Sequence, residues 1–310
     1  MRIFLAPMEG VVDYAMRCLM REIGGIDVCV TEFVRVSSSL LPDKTFLRYC
    51  PELSAPAAIP TRVQLLGSDA EMMARNAAKA ASLGASAIDL NFGCPAKTVN
   101  RHQGGACLLD STQSIFVIVK AVRDAVPQST PVTAKIRLGY HDRLSYLDNA
   151  IAIEEAGASE LVVHARSKQD GYNPPAYWSY LADINERLKI PVVANGELWS
   201  VEDYLRCRAE SGCEDMMLGR GLLAQPDLAL AIKAMAQHCE HRAFTWQDIT
   251  PYLLGYFLES SAHYPEKYMG NRVKQWLHYL KRSYPQAQRL FDQIKKSRDA
   301  AYIAQCIQCA

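Results

Sequence analysis

The chain has 310 residues, 34 basic and 33 acidic, with 49% apolar residues, 17 Gly and 15 Pro. That apolar content excludes disorder, and the Gly and Pro counts exclude collagen-like or low-complexity classes. No apolar run approaches the ~20 residues that span a bilayer. The N-terminal apolar stretch meets Glu9 too early for a secretory leader, so the chain reads as cytoplasmic without a membrane partner; a monomer is the separate expectation for its assembly. Among ten cysteines, Cys306 and Cys309 have the spacing of half a zinc site, but no second pair stands nearby and no metal is expected.

Short β-branched or apolar runs, each ending in Gly, Pro, Asn or a charged residue, predict eight strands. They are Ile3–Met8, Val28–Phe33, Arg62–Leu66, Ala87–Phe92, Val132–Leu138, Glu160–Arg166, Val192–Glu197 and Asp215–Arg220. Helical stretches intervene at Asp13–Ile23, Asp69–Leu83, Ser111–Val126, Ser145–Ala156 and Ser200–Glu210, opening on capping residues or closing at Gly or Pro. Eight strand–helix units predict an α/β fold, a closed (β/α)8 TIM barrel over residues 1–240. A doubly wound sheet fits less well, because no Gly-x-Gly-x-x-Gly turn follows the first strand.

Beyond residue 240 the strand signal stops. Thr245–Ala262, Tyr268–Ser283 and Pro285–Arg298 read as helices of a small all-helical C-terminal domain, 241–310. Lys267–Arg298 holds nine basic residues and one acid, Asp292, a local +8 that leaves −7 on the rest of the chain. The net charge of +1 therefore hides a strong asymmetry.

A barrel of this kind builds its active site at the C-terminal ends of its strands. Those ends supply Pro7, Met8 and Glu9, then Gln64, Asn91 and Cys94, Lys135 and Arg137, His164 and Arg166, Asn195, Gly196 and Glu197, and Gly219 and Arg220. Gly196 and Gly219 are placed for backbone amides to approach a phosphate, with Arg220 as a charged donor, although glycines there also serve as ordinary turn residues. Lys135 suits the edge of a flavin on which negative charge develops; a snorkelling barrel lysine and a Schiff-base lysine are the other readings. Cys94, between Gly93 and Pro95 in a loop, is a candidate general acid or a buried structural thiol. The following Lys97–Gly105 segment reads as a Gly-hinged lid.

These segments resemble those of the tRNA-dihydrouridine synthases. The resemblance rests on Ala6-Pro7-Met8-Glu9-Gly10 with Asp13 and Arg17, Asp89-Leu90-Asn91-Phe92-Gly93-Cys94-Pro95, Lys135-Ile136-Arg137-Leu138-Gly139, Val163-His164-Ala165-Arg166, Ala194-Asn195-Gly196-Glu197 and Gly219-Arg220-Gly221. It implies an FMN enzyme that draws on NADPH to reduce a tRNA uridine to dihydrouridine, with Cys94 protonating C5. FMN contacts would fall on Pro7, Met8, Glu9, Gln64, Lys135, His164, Asn195, Gly196, Glu197, Gly219 and Arg220. Thr31–Arg35 and Asn271–Leu280 are similar to the C subfamily, whose target is uridine 16. On this reading Arg35, Asn91, Tyr172, Arg272, Lys274, Tyr279 and Lys295 would meet tRNA, the basic helices by phosphate contacts and the ring of Tyr279 by stacking. A flavin reductase of a free pyrimidine would leave the basic helices unused. A non-catalytic RNA-binding protein would leave Cys94 and Lys135 unexplained.

Overall fold

A computed structural model describes residues 1–55, 57–263 and 265–310, with the side chains of 263 and 266 outside the description. Its sheet consists of parallel strands β1 (Ile3–Leu5), β2 (Val28–Val30), β3 (Thr61–Leu66), β4 (Ile88–Asn91), β5 (Val132–Arg137), β6 (Glu160–His164), β7 (Val192–Asn195) and β8 (Asp215–Leu218). A two-residue strand, Val34–Arg35, continues β2 along β3. β1 pairs with both β2 and β8, so the sheet closes into a barrel. Helices connect the strands on the outside, as expected.

Several predicted strands run two or three residues too far. Pro7 carries no N–H for the ladder, and Gly196 adopts φ +116, so the chain leaves the sheet there and forms the loops around the barrel mouth. Helices are capped as their sequences suggest: Asp13 accepts from the Met16 N–H and Asp69 from the Met72 N–H, both at 3.0 Å. Among the helices not anticipated are Ser179–Arg187, Arg220–Ala224, Leu228–Ala236 and the last, Ala300–Gln308.

Side chains of a strand alternate in direction, so every second residue enters the barrel. Phe4, Ala6, Val28, Val30, Val162, Val193 and Met217 form an apolar layer apart from the larger core between sheet and helices. Below it, Glu160 pairs with Arg62 and Arg2. Above it the inward positions turn polar, with Gln64, Asp89, Thr133, Lys135, His164 and Asn195.

The chain leaves the barrel after Leu228–Ala236 and continues through helices Trp246–His263, Asn271–Leu280, Pro285–Ile294 and Ala300–Gln308. The anchor is Trp276, 1% exposed, whose Nε1–H donates to the Leu223 carbonyl at 3.1 Å and whose ring meets Tyr256 edge-on. Arg272 adds a polar tie to the β1 loop, donating to the Gly10 carbonyl and pairing with Asp13 at 3.1 Å. Helix Asn271–Leu280 is thereby held above the barrel mouth. No helix among the described residues is long and apolar enough to cross a membrane.

Arg17, fully buried, grips the Glu52 carboxylate through Nε at 2.9 Å and Nη2 at 2.8 Å, and Arg21 adds a third bond at 2.6 Å. Burial opposes ionisation of Glu52, but the hydrogen bonds and charge of Arg17, with the Arg21 bond, outweigh it and hold the carboxyl down at about 2. Removing one partner leaves a buried charge uncompensated. Glu52→Gln is therefore expected to lower unfolding stability at pH 7 by ~3–5 kcal/mol in urea titrations. Since the folded-state value lies below that of an unfolded carboxylate, the Glu52 contribution is complete above about pH 5 and is lost as pH falls toward 2. Wild type should thus lose more stability than Glu52→Gln between about pH 5 and 3; parallel curves would contradict this role.

Candidate active site

The loops after the strands enclose a cavity of about 570 Å³ at the barrel mouth. All eleven residues assigned above to a flavin line it, together with Cys94, Asn91, Tyr172 and Tyr279. Arg35 stands outside the wall, exposed, yet its charge is felt at the Cys94 thiol. Lys274 spends one donor on the Ser297 carbonyl, and Arg272 reaches the β1 loop, so both serve the packing of the C-terminal helices. Lys295 is exposed beside Asp292.

Register explains how distant segments converge. Gln64 pairs with Asp89, Asn91 with Lys135, Arg137 with His164, His164 with Asn195, and Asn195 with Met217. Lys135 Nζ donates to Asn195 Oδ1 at 3.0 Å, and Asn195 Nδ2 donates to the Met217 carbonyl at 2.8 Å. Burial, reinforced by Arg137, lowers the Lys135 ammonium to about 8. Burial also pushes His164 well below the ordinary histidine range, with the charges of Arg137, Lys135, Arg166 and Arg220 acting in the same direction. His164 is therefore a neutral imidazole at physiological pH.

The cavity is strongly cationic. Arg137 is held by carbonyl oxygens of Gly93, Ser167 and Gly171, and Arg166 by Glu197. Arg220 lies 4.8 Å from the Tyr172 ring and 5.0 Å from the Trp199 ring, with no hydrogen bond or ion pair among the described residues. Tyr172 is 53% exposed and also carries Arg137 at 5.2 Å, so this loop aromatic is part of the cation array. Trp199 was not singled out from the sequence. It lies two residues beyond Glu197, which accepts from its indole N–H at 3.0 Å, and Arg282 of the C-terminal helices stacks over it at 4.0 Å. Phe33, also unanticipated, covers the other side with Leu66 and Val99 around Cys94.

Burial raises the Cys94 thiol above its usual value; the Ala96 N–H and the charges of Arg137 and Arg35 oppose this without reversing it. The thiol is protonated at neutral pH, as a proton donor requires. Its loop is tightly built. Asn91 Oδ1 accepts the Gly93 and Cys94 N–H groups, each at 2.9 Å, while its Nδ2 donates to Gln64 at 2.8 Å. Asn91 is thus chiefly an organiser of this loop. The segment expected as a lid is a short helix, Lys97–Arg101, pinned by Asn100, whose Nδ2 donates to the Cys94 and Ala96 carbonyls. Gly105 supplies close approach there, since a Cβ would lie 2.8 Å from the Cys94 carbonyl oxygen.

The dihydrouridine synthase (Dus) family model matches residues 4–309. The chain belongs to the dihydrouridine synthase family. It is an oxidoreductase of that family. It is 48% identical to a tRNA-dihydrouridine(16) synthase of Shewanella oneidensis, over 100% of this chain and 98% of that protein. It is 48% identical to one of Pseudomonas putida (99% and 96%) and 45% identical to one of Neisseria meningitidis (96% and 91%). Among solved structures, a 2-naphthoyl-CoA reductase complex aligns with 77% of this chain and 50% of its own at TM-score 0.59 and 11% identity. Histamine dehydrogenase from Rhizobium sp. 4-9 aligns with 83% and 48% at TM-score 0.58 and 15% identity. Likeness at those identities shows the fold, a TIM barrel.

Gly196 tests the site's construction. At φ +116 an L side chain is strained, and a Cβ would lie 2.7 Å from His164 Cδ2. Gly196→Ala is expected to cost ~2–3 kcal/mol and lower the melting temperature, with the His164 ring displaced in its NMR spectrum. An unchanged melting curve and ring shift would show that the close packing is dispensable.

Proposed function

We propose that this enzyme reduces the C5=C6 bond of uridine 16 in the tRNA D-loop to dihydrouridine, with FMN in the barrel-mouth cavity and NADPH as the source of reducing equivalents. The observation that carries the reading is the convergence of a protonated Cys94 and an anion-seeking cation array on one cavity. Residues 1–240 then serve the chemistry, and the helices of 241–310 hold the RNA.

The residues fit FMN. Arg220, half-buried without an ion-pair partner among the described residues, offers its guanidinium to a phosphate. Gly196 and Gly219 keep backbone close to the ligand, and Pro7, Met8 and Glu9 form the facing wall. Lys135, Gln64, His164, Asn195 and Glu197 supply the polar contacts to the ring system and ribityl chain. When bound, FMN would supply hydride chemistry for C6 of the uracil ring. Cys94 holds the proton for C5, and the apolar packing of Phe33, Leu66 and Val99 limits solvent around its thiol.

The uridine must leave its stack to reach this depth. Tyr172 and Tyr279 line the mouth with ring surface for a nucleotide, and Asn91 keeps one amide N–H for an acceptor on the base. Arg35 and Lys295 offer charges to the phosphate backbone, joined by the positive charges of Arg272 and Lys274.

Two measurements test this. Cys94→Ala should retain FMN and tRNA affinity while dihydrouridine formation falls by ~10²–10⁴-fold, the range of a lost general acid; unchanged turnover would remove the acid role. FMN affinity should also fall as pH rises from about 7 to 9, because a ligand that prefers charged Lys135 is bound less well above the amine's value of about 8. Lys135→Gln should flatten that dependence, and an equally steep curve in the variant would place the titration elsewhere.

A further inference from the structure

Beneath the cavity, Asp89 is a carboxylate that no step above uses. It is 1% exposed, on β4 inside the barrel. Thr133 Oγ1 donates to its Oδ1 and Gln64 Nε2 to its Oδ2, each at 2.7 Å.

The orientation of the neighbouring amides follows by elimination. The Gly93 and Cys94 N–H groups can only donate, so the Asn91 atom they share is Oδ1. The other end of Asn91 is then Nδ2, a donor, and the Gln64 atom 2.8 Å away must be Oε1. Gln64 therefore turns Nε2 toward Asp89, where an acceptor is required, and a carboxylate oxygen is what stands there. Backbone donors at one end and a carboxylate at the other fix two amides that could each have been placed either way. Every bond in the chain runs in one sense, from the Cys94 loop to the barrel interior.

We propose that Asp89 is a positioning residue: as terminal acceptor of the relay Cys94 N–H, Asn91, Gln64, Asp89, it sets the Cys94 loop and fixes the donor sense of Gln64 toward the cavity. The inference rests on the reading of that cavity as the FMN site and of Cys94 as the proton donor. Without the acceptor, Gln64 Nε2 loses its buried partner, and the amide is no longer held against rotation into its turned-over form. Its nitrogen would then face Asn91 Nδ2, donor against donor, and Asn91 could relieve the conflict only by withdrawing its oxygen from the Gly93 and Cys94 amides. The loop and the ligand-facing amide are thus coupled through a residue that touches neither the thiol nor the ligand cavity.

The test uses the full-length enzyme with FMN. Asp89→Leu removes the acceptor at similar bulk, whereas Asp89→Asn can turn its carbonyl oxygen to Gln64 and its amide nitrogen to Thr133. Iodoacetamide labelling of Cys94, followed by mass spectrometry of its peptide, is expected to accelerate at least about fivefold in Asp89→Leu, with FMN affinity about tenfold weaker. Asp89→Asn should restore both to within about twofold of wild type, and Thr133→Val, which removes the other Asp89 bond, should also stay within about twofold. A folded Asp89→Leu with wild-type labelling and affinity overturns the proposal. Failure of Asp89→Asn to rescue overturns it too, because charge and not the acceptor would then matter. Should Asp89→Leu fail to fold, neutron diffraction of deuterium-exchanged wild type decides: deuterons on Asn91 Nδ2 toward Gln64 and on Gln64 Nε2 toward Asp89 support the relay, and the reverse placement refutes it. Labelling needs no flavin, so an enzyme that never binds FMN would sink the functional reading while the relay is still judged at Cys94.

Discussion

Positive charge gathered at one end of a barrel is the constraint around which the site is arranged. Lys135, Arg137, Arg166 and Arg220 all act on His164, and against them stand Glu197, Glu9 at the rim and Asp89 beneath Lys135. Such a cluster repels itself, and the interior dielectric makes the repulsion stronger than in water. The fold spreads the load over carbonyl dipoles and ring faces: three carbonyls hold Arg137, and the rings of Tyr172 and Trp199 carry Arg220. Burial then lowers Lys135 and keeps His164 neutral. The site is built so that an anionic ligand relieves its principal source of electrostatic stress.

The C-terminal helices extend this arrangement. Trp276 inserts into the barrel side, which sets helix Asn271–Leu280 over the mouth and brings Tyr279 into the cavity wall. Arg282 meets Trp199, whose other neighbour is Arg220, so a ladder of guanidinium and ring groups runs from the basic helices to the cavity. The near-neutral total charge conceals this. Part of the basic block is also spent internally, since Arg272 and Lys274 hold backbone carbonyls of the β1 loop and of residue 297. Regional charge is therefore a poor count of the donors left for phosphate, and the exposed members matter most.

The barrel was legible in the sequence because eight short apolar runs at regular spacing leave few alternatives, and the residues of the cavity were legible because strand ends are where such barrels place function. What the sequence concealed was how those residues are used. Asn91 looks like a base reader by its chemistry, but its amide is largely committed to two backbone N–H groups and Gln64. The two glycines after Cys94 look like hinges, but at Gly105 the requirement is room beside a carbonyl. Trp199 gave no periodic signal, since a single ring in a loop earns its place only from partners contributed by residues 20 and 80 or so positions away. Long-range side-chain partnership is the information that local pattern lacks.

Burial decides the character of Cys94. A loop thiol near Arg137 and Arg35 would tend toward thiolate, a nucleophile open to alkylation and oxidation. Here the packing of Phe33, Leu66 and Val99 outweighs those charges and raises the thiol instead. Proton retention and protection from oxidants thus have a common origin. The same packing demands that the loop be held in place by something other than the thiol, and the amide bonds of Asn91 and Asn100 meet that demand from opposite sides. Precision at the sulfur is a property of its polar scaffold, while its protonation is a property of its apolar one.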